Sequence, residues 1–158
     1  MKSLYVSRRL LNGSAIRIWA KEQGFTSTLP ASDMHVTILY SKRPMAWTDV
    51  DLDKNDLTVE GGEREAKRLG DGGEAVVLKF SSDALSERHQ TFMDAGGSSD
   101  YDTYQSHITI TYRGDGLDLE DVEPYTGELV FGPEVYREIR PNWEDDAKPE
   151  ITVTIRPA

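Results

Sequence analysis

The 158 residues contain no cysteine, no apolar run approaching the roughly 20 residues of a bilayer span, and no block of lysine or arginine to set against a formal net charge of −10. Each absence excludes something. Without cysteine there is no disulfide framework and no thiolate metal site. Without a long apolar run there is no transmembrane helix, and 37% hydrophobic with 29% charged residues is the balance of a soluble globular chain. The start, Met-Lys-Ser-Leu-Tyr-Val, lacks the apolar stretch of a secretory leader, so the expected compartment is the cytoplasm. Without a basic stripe the chain is poorly suited to tracking a long nucleic acid, which is bound by releasing counterions. A small anion held by a few convergent donors remains compatible with the acidity, because a local site need not share the sign of the whole surface. The length fits one domain spanning 1–158, with a core that needs no metal or disulfide staple.

What is present is a repeated order of elements. Residues 4–10 read as a strand; Asn12 then offers a helix cap, and Ala15, Ile16, Trp19 and Ala20 recur at helical spacing before Gly24, which predicts a helix over 13–23. Residues 34–40, rich in β-branched and aromatic types, predict the next strand. The order then returns. Two strands, 63–69 and 74–80, flank Asp71-Gly72-Gly73 as a hairpin, and the apolar Ala75–Leu78 predicts a central strand. Asp83 can cap a helix whose Leu85, Phe92 and Met93 share a face, Gly96-Gly97 end it, and 106–112 predict a strand. After an acidic loop over 115–123 come a strand near 127–131, a segment 134–139, a loop around Trp143 and a terminal strand over 151–155.

The closing strands of the two halves carry nearly the same text, His35-Val-Thr-Ile-Leu-Tyr40 and His107-Ile-Thr-Ile-Thr-Tyr112, offset by 72 residues (107 minus 35). Side chains alternate along a strand, so His35, Thr37 and Leu39 are expected on one face, with Val36, Ile38 and Tyr40 on the other; His107 and Thr109 stand likewise against Ile108, Ile110 and Tyr112. If the halves pack about an approximate two-fold axis, two imidazoles and two hydroxyls converge in a cleft. The fold class this implies is α+β, with duplicated strand-helix-strand lobes forming two antiparallel sheets around that cleft and the helices outside.

Such a set suits phosphodiester chemistry. Cleavage needs a base, an acid and donors for the non-bridging oxygens; imidazole serves both proton roles because it titrates near working pH, and threonine hydroxyls turn readily between donor and acceptor. One histidine would be neutral and the other charged, and no metal or other cofactor is called for. The third histidine also stands in a His-x-Thr triplet, His89-Gln90-Thr91, but in the predicted helix residues two apart point to nearly opposite sides. His89 is therefore read as a packing residue.

Two His-x-Thr strands in a duplicated chain of this size resemble the 2H phosphoesterase superfamily, which includes the bacterial RNA ligase/2′,3′-cyclic phosphodiesterases. The start Leu-Tyr-Val, the stretch from Gly24 to Thr37, and Phe131-Gly-Pro-Glu followed by Asn142-Trp143 resemble the phage anti-CBASS nucleases. Those enzymes degrade the cyclic di- and trinucleotides that activate a bacterial antiphage defence. The resemblance implies a metal-independent phosphodiesterase acting on 3′–5′ linkages of cyclic oligonucleotides in the host cytoplasm, with His35, Thr37, His107 and Thr109 catalytic. It also implies substrate contacts from a first-strand tyrosine, a late glutamate and a stacking aromatic, placed here at Tyr5, Glu138 and Trp143, with Glu134 an alternative for the glutamate. Two other readings stay open, a phosphodiesterase acting on 2′,3′-cyclic RNA ends and a non-catalytic nucleotide sponge. Base preference, ring size, the form of the product end and the oligomeric state are left open.

Overall fold

A computed structural model describes residues 1–69, 74–140 and 151–152. The strands are β1 (Lys2–Leu10), β2 (Ser27–Thr28), β3 (His35–Met45), β4 (Leu57–Val59), β5 (Arg64–Leu69), β6 (Ala75–Phe80), β7 (His107–Thr111), β8 (Leu129–Arg137) and β9 (Ile151–Thr152); the helices are α1 (Gly13–Glu22) and α2 (Asp83–Asp94). The expected pair of sheets is not what forms. The two lobes join edge to edge through β3 and β7 into one seven-stranded sheet, ordered β4-β8-β1-β3-β7-β6-β5, while β2 and β9 make a separate two-stranded ladder. All the pairings among the described residues are antiparallel. The physical reason is that β3 and β7 are the inner strand of each lobe, and pairing them satisfies both ladders without leaving an open edge in the middle of the molecule.

Both helices contribute to a single core. In α1 the residues at i, i+3 and i+4, Ile16, Trp19 and Ala20, are buried, and in α2 Leu85 and Phe92 are. They join Val36, Ile38, Leu78, Ile108 and Ile110 in one hydrophobic cluster on one face of the sheet. Gly13 opens α1 where a Cβ would stand 2.9 Å from the carbonyl oxygen of Ala31, so the absence of a side chain lets the helix seat against the turn that leads into β3. Asn12 precedes the helix but does not cap it with its side chain; it donates to the carbonyl of Glu128 and accepts from the backbone of Val130, tying α1 to β8. Ser82, one residue before Asp83, is the side chain that caps α2.

The segments expected at 127–131 and 134–139 are one continuous strand, β8, and it rests on a charged network that the sequence pattern does not announce. Arg8 lies in the same cross-strand row as Val36, on the core face and 3% exposed. Its guanidinium donates to the carbonyls of Asn55 and Gly132 and to the carboxylate of Asp53. Beside it Glu134, 2% exposed, accepts two hydrogen bonds from Arg88 of α2 at 2.7 Å each and one from the backbone of Asp53. Removing one partner of a buried ion pair strands the other. Glu134→Ala is expected to cost about 3 kcal/mol of stability, and a double replacement of Arg88 and Glu134 by apolar residues distinctly less, read in chemical denaturation. Equal losses would mean that the pair carries no desolvation penalty.

Candidate active site

The sheet face turned away from the helices carries the duplicated motifs. Val36 stands opposite Ile108 in the β3–β7 ladder, and antiparallel pairing then sets His35 across from Thr109 and Thr37 across from His107. Directly opposed side chains have Cβ atoms only about 4.5–5.5 Å apart. The four groups expected to converge therefore form the corners of a small rectangle, with each histidine diagonal to the other, and they do so within one sheet.

Each imidazole is set the same way. His35 donates from Nδ1 to the carbonyl of Asp33 at 2.8 Å, and His107 from Nδ1 to the carbonyl of Gln105 at 2.9 Å. In both lobes the acceptor lies two residues earlier, at the entry to the strand, and fixing the proton on Nδ1 leaves Nε2 as the reactive nitrogen. At His35 that nitrogen accepts from the phenol of Tyr5 at 2.8 Å, and the Thr37 hydroxyl is 3.3 Å from the same phenol. Tyr5 thus reaches the rectangle from the neighbouring strand, as the resemblance placed it. Burial lowers the affinity of His35 for a proton, and the charges of His107 and Arg137 lower it further, against a raising effect from the Asp33 carbonyl. Burial likewise raises the phenol of Tyr5.

Cations flank this face although the chain as a whole is acidic. Arg9 is the partner of His35 on β1, Lys79 the partner of His107 on β6, and Arg137 the partner of Tyr5 on β8. None of the three takes part in the ion pairs Arg8–Asp53, Lys42–Asp100 or Arg88–Glu134. Glu65 stands opposite Lys79 on the outer strand β5. Pairing geometry gathers these three cations, and no motif in the sequence marks them.

Of the two glutamates considered, Glu134 is committed to Arg88 on the helix side and does not face the rectangle. Glu138 is exposed, one residue beyond Arg137 at the end of β8. Trp143 and the Asp71-Gly72-Gly73 turn lie outside the described residues, as does all of the expected terminal strand beyond Thr152. His89 is a packing residue, as expected, with a further task. Its ring stacks on Tyr104 at 4.5 Å, its Nδ1 donates to the carbonyl of Ile38 at 2.7 Å, and Tyr104 donates to the carbonyl of Thr37 at 2.7 Å. Two consecutive carbonyls of β3 are thereby held beside the rectangle. Among the described residues no three His, Cys, Asp or Glu side chains are grouped as metal ligands, and no helix is long and apolar enough to cross a membrane.

Comparison with known proteins identifies the family and the fold. A family model described as "Anti-CBASS protein Acb1" matches residues 2–146. An anti-CBASS protein Acb1 of Sphingomonas paeninsulae is 50% identical over 150 residues, which are 90% of this chain but 24% of that protein, so the chain spans about a quarter of that relative's length. The protein of the same name in Yersinia phage phiR1-RT is 28% identical over 149 residues and is matched over 95% of its length. In three dimensions the chain resembles E. coli LigT, solved in complex with 3′-AMP, with a TM-score of 0.56 at 11% identity over 98% of this chain and 99% of that one. This likeness is one of fold, and the fold is that of the LigT-like phosphoesterases.

Proposed function

Since this chain belongs to the anti-CBASS protein Acb1 family, we propose that it is a metal-independent phosphodiesterase that opens 3′–5′ linkages of cyclic di- and trinucleotides and so removes the signal of an antiphage defence. The observation that carries this reading is the convergence of His35, Thr37, His107 and Thr109 on one face of one sheet, with both imidazoles fixed at Nδ1. The roles follow from the surroundings. His35 accepts a hydrogen bond from the Tyr5 phenol at Nε2 and is held neutral by burial, which suits the base that takes a proton from the attacking hydroxyl. His107 is then the acid that protonates the leaving oxygen. Thr37 and Thr109 donate to the non-bridging oxygens, and Arg9, Lys79 and Arg137 draw the anion to a face of otherwise acidic protein. Tyr5, Glu138 and Trp143 serve as further substrate contacts.

The deciding experiment is incubation with a panel of cyclic di- and trinucleotides, with and without EDTA, reading linear products by chromatography. Turnover is expected to be the same in both arms, because the positive charge that a metal would supply comes from an imidazolium. Activity lost in EDTA and restored by a divalent ion would overturn the mechanism, and binding without cleavage would leave a sponge.

The lowered proton affinity of His35 fixes where the rate should fall. A base must be unprotonated, and a group whose value lies below the usual 6.5 stays neutral to lower pH, so the acid limb of kcat/KM is expected below pH 6.5. The alkaline limb reports loss of the proton from the general acid, and the profile is a bell. A profile flat from pH 5 to 8 with chemistry rate-limiting would count against paired proton transfer.

A further inference from the structure

Strands β3 and β7 break step at the same point of the repeat. The pairing of β3 with β1 passes from Thr37 opposite Ser7 to Leu39 opposite Val6, which leaves Ile38 as an extra residue. The pairing of β7 with β6 passes from Thr109 opposite Val77 to Thr111 opposite Val76, which leaves Ile110 as the extra one. An inserted residue reverses the facing of everything after it. Ile38, Leu39, Ile110 and Thr111 are accordingly all buried to 1% exposure or less; Tyr40, the next residue of β3, emerges on the face of the histidines, and Tyr112 follows directly on the last residue of β7. The ring of Tyr40 meets that of Tyr5 edge-on at 5.4 Å. Tyr112 is 44% exposed, and its phenol is near enough to Tyr5 to act on its titration.

Both bulges are secured. The carbonyl of Ile38 accepts from Nδ1 of His89 at 2.7 Å, and that of Ile110 accepts from the backbone of Leu29 at 2.8 Å. A bulge that occurs twice at equivalent positions, with its freed carbonyl capped by a different donor each time, is a feature of the site and not an irregularity of one strand. Because β3 and β7 run antiparallel, the two tyrosines it exposes stand beyond opposite ends of the His–Thr rectangle. A phosphodiester has the same layout, one nucleoside on either side of the phosphorus.

We propose that Tyr40 and Tyr112 are a matched pair of nucleobase subsites, one for each nucleoside joined by the phosphodiester that lies over His35, Thr37, His107 and Thr109. The proposal rests on the reading of that rectangle as a phosphodiesterase site, and adds that substrates with a base on both sides of the scissile phosphate are bound by both lobes. An aromatic face stacks on any base, so the pair sets substrate size more than base identity.

The test is steady-state kinetics of Tyr40→Ala and Tyr112→Ala on a cyclic dinucleotide and on a 2′,3′-cyclic mononucleotide. Each variant is expected to raise KM for the cyclic dinucleotide about tenfold or more while kcat stays within about threefold, and Tyr→Phe at either position to retain most of the affinity. The mononucleotide has one base, so one alanine variant should raise its KM and the other leave it unchanged. Tyr40 also packs on Tyr5, so Tyr40→Leu, with its melting temperature, separates lost stacking from lost folding, and the exposed Tyr112 carries the test independently. Wild-type KM in both alanine variants, or a fall in kcat without a change in KM, overturns the subsites and leaves the phosphodiesterase reading standing. Failure of the unaltered protein to cleave any cyclic oligonucleotide overturns that reading and the subsites with it.

Discussion

Replacing His35 or His107 with alanine is expected to lower turnover of a cyclic dinucleotide by ~10²–10⁴-fold in each case, with the double variant little slower than either single one. The magnitude is that of losing a positioned acid or base. The non-additivity follows from the shared step, in which one imidazole removes a proton while the other supplies one, so that either loss leaves its partner with nothing to act on. The rectangle makes the test clean, because each histidine is anchored by a backbone carbonyl of its own strand entry and neither supports the other. KM should move far less than kcat, since Thr37, Thr109 and the flanking cations still hold the phosphate. His89→Ala is the control. It removes a stacked ring and the hydrogen bond to the Ile38 carbonyl, and is expected to lower stability by about 1–3 kcal/mol in a denaturant titration. A single variant of His35 or His107 turning over at the normal rate would show that its imidazole carries no proton in the reaction.

The arrangement of the candidate site was legible in the sequence because it is written twice. A lone His-x-Thr is uninformative, as His89-Gln90-Thr91 demonstrates by sitting in α2. Two copies on matched strands predicted the convergence, and alternation placed His35, Thr37, His107 and Thr109 on one face. Alternation then failed one turn of the pattern later. It assigned Leu39 to the cleft and Tyr40 and Tyr112 to the core, whereas the bulges at Ile38 and Ile110 bury Leu39 and turn both tyrosines outward. A bulge is a disagreement between partner strands, and one strand's residues do not reveal it.

The same limit explains the other differences. Arg8 reads as a surface residue of β1, and its burial depends on Asp53, Asn55 and Gly132, which are distant in the chain. The short strands β2 and β4 have too few residues to show a period and exist because β9 and β8 offer them an edge. Whether two lobes face each other or join side by side is decided by the β3–β7 ladder, and each lobe's own pattern is compatible with either. Asn12 illustrates a further ambiguity. It has the right identity and place for a helix cap, yet its amide donates to the carbonyl of Glu128 and accepts from the backbone of Val130, and its side chain makes no bond to the helix end.

A cyclic dinucleotide carrying 2′-deoxyribose at the scissile position is expected to bind nearly as well as its ribose counterpart and to resist cleavage. With two imidazoles and two hydroxyls as the working groups, the simplest nucleophile within reach of a 3′-linked phosphorus is the neighbouring 2′-hydroxyl. On the proposed mechanism His35 would take its proton, the new bond from the 2′-oxygen to phosphorus would form as the bond to the 5′-oxygen breaks, and that oxygen would receive the proton of His107. The expected immediate product has a 2′,3′-cyclic phosphate and a free 5′-hydroxyl. The deoxy analogue lacks only the attacking oxygen, so every contact proposed to determine affinity would survive: the threonines on the non-bridging oxygens, the cations Arg9, Lys79 and Arg137, and the aromatic residues around them. The block should therefore appear in kcat and not in the dissociation constant, measured by calorimetry on the intact analogue. Efficient cleavage of the deoxy substrate would mean that water is the nucleophile, with His35 activating it in place of the ribose hydroxyl; the product would then carry an open phosphate from the first turnover, and mass spectrometry in oxygen-18 water would find the label there.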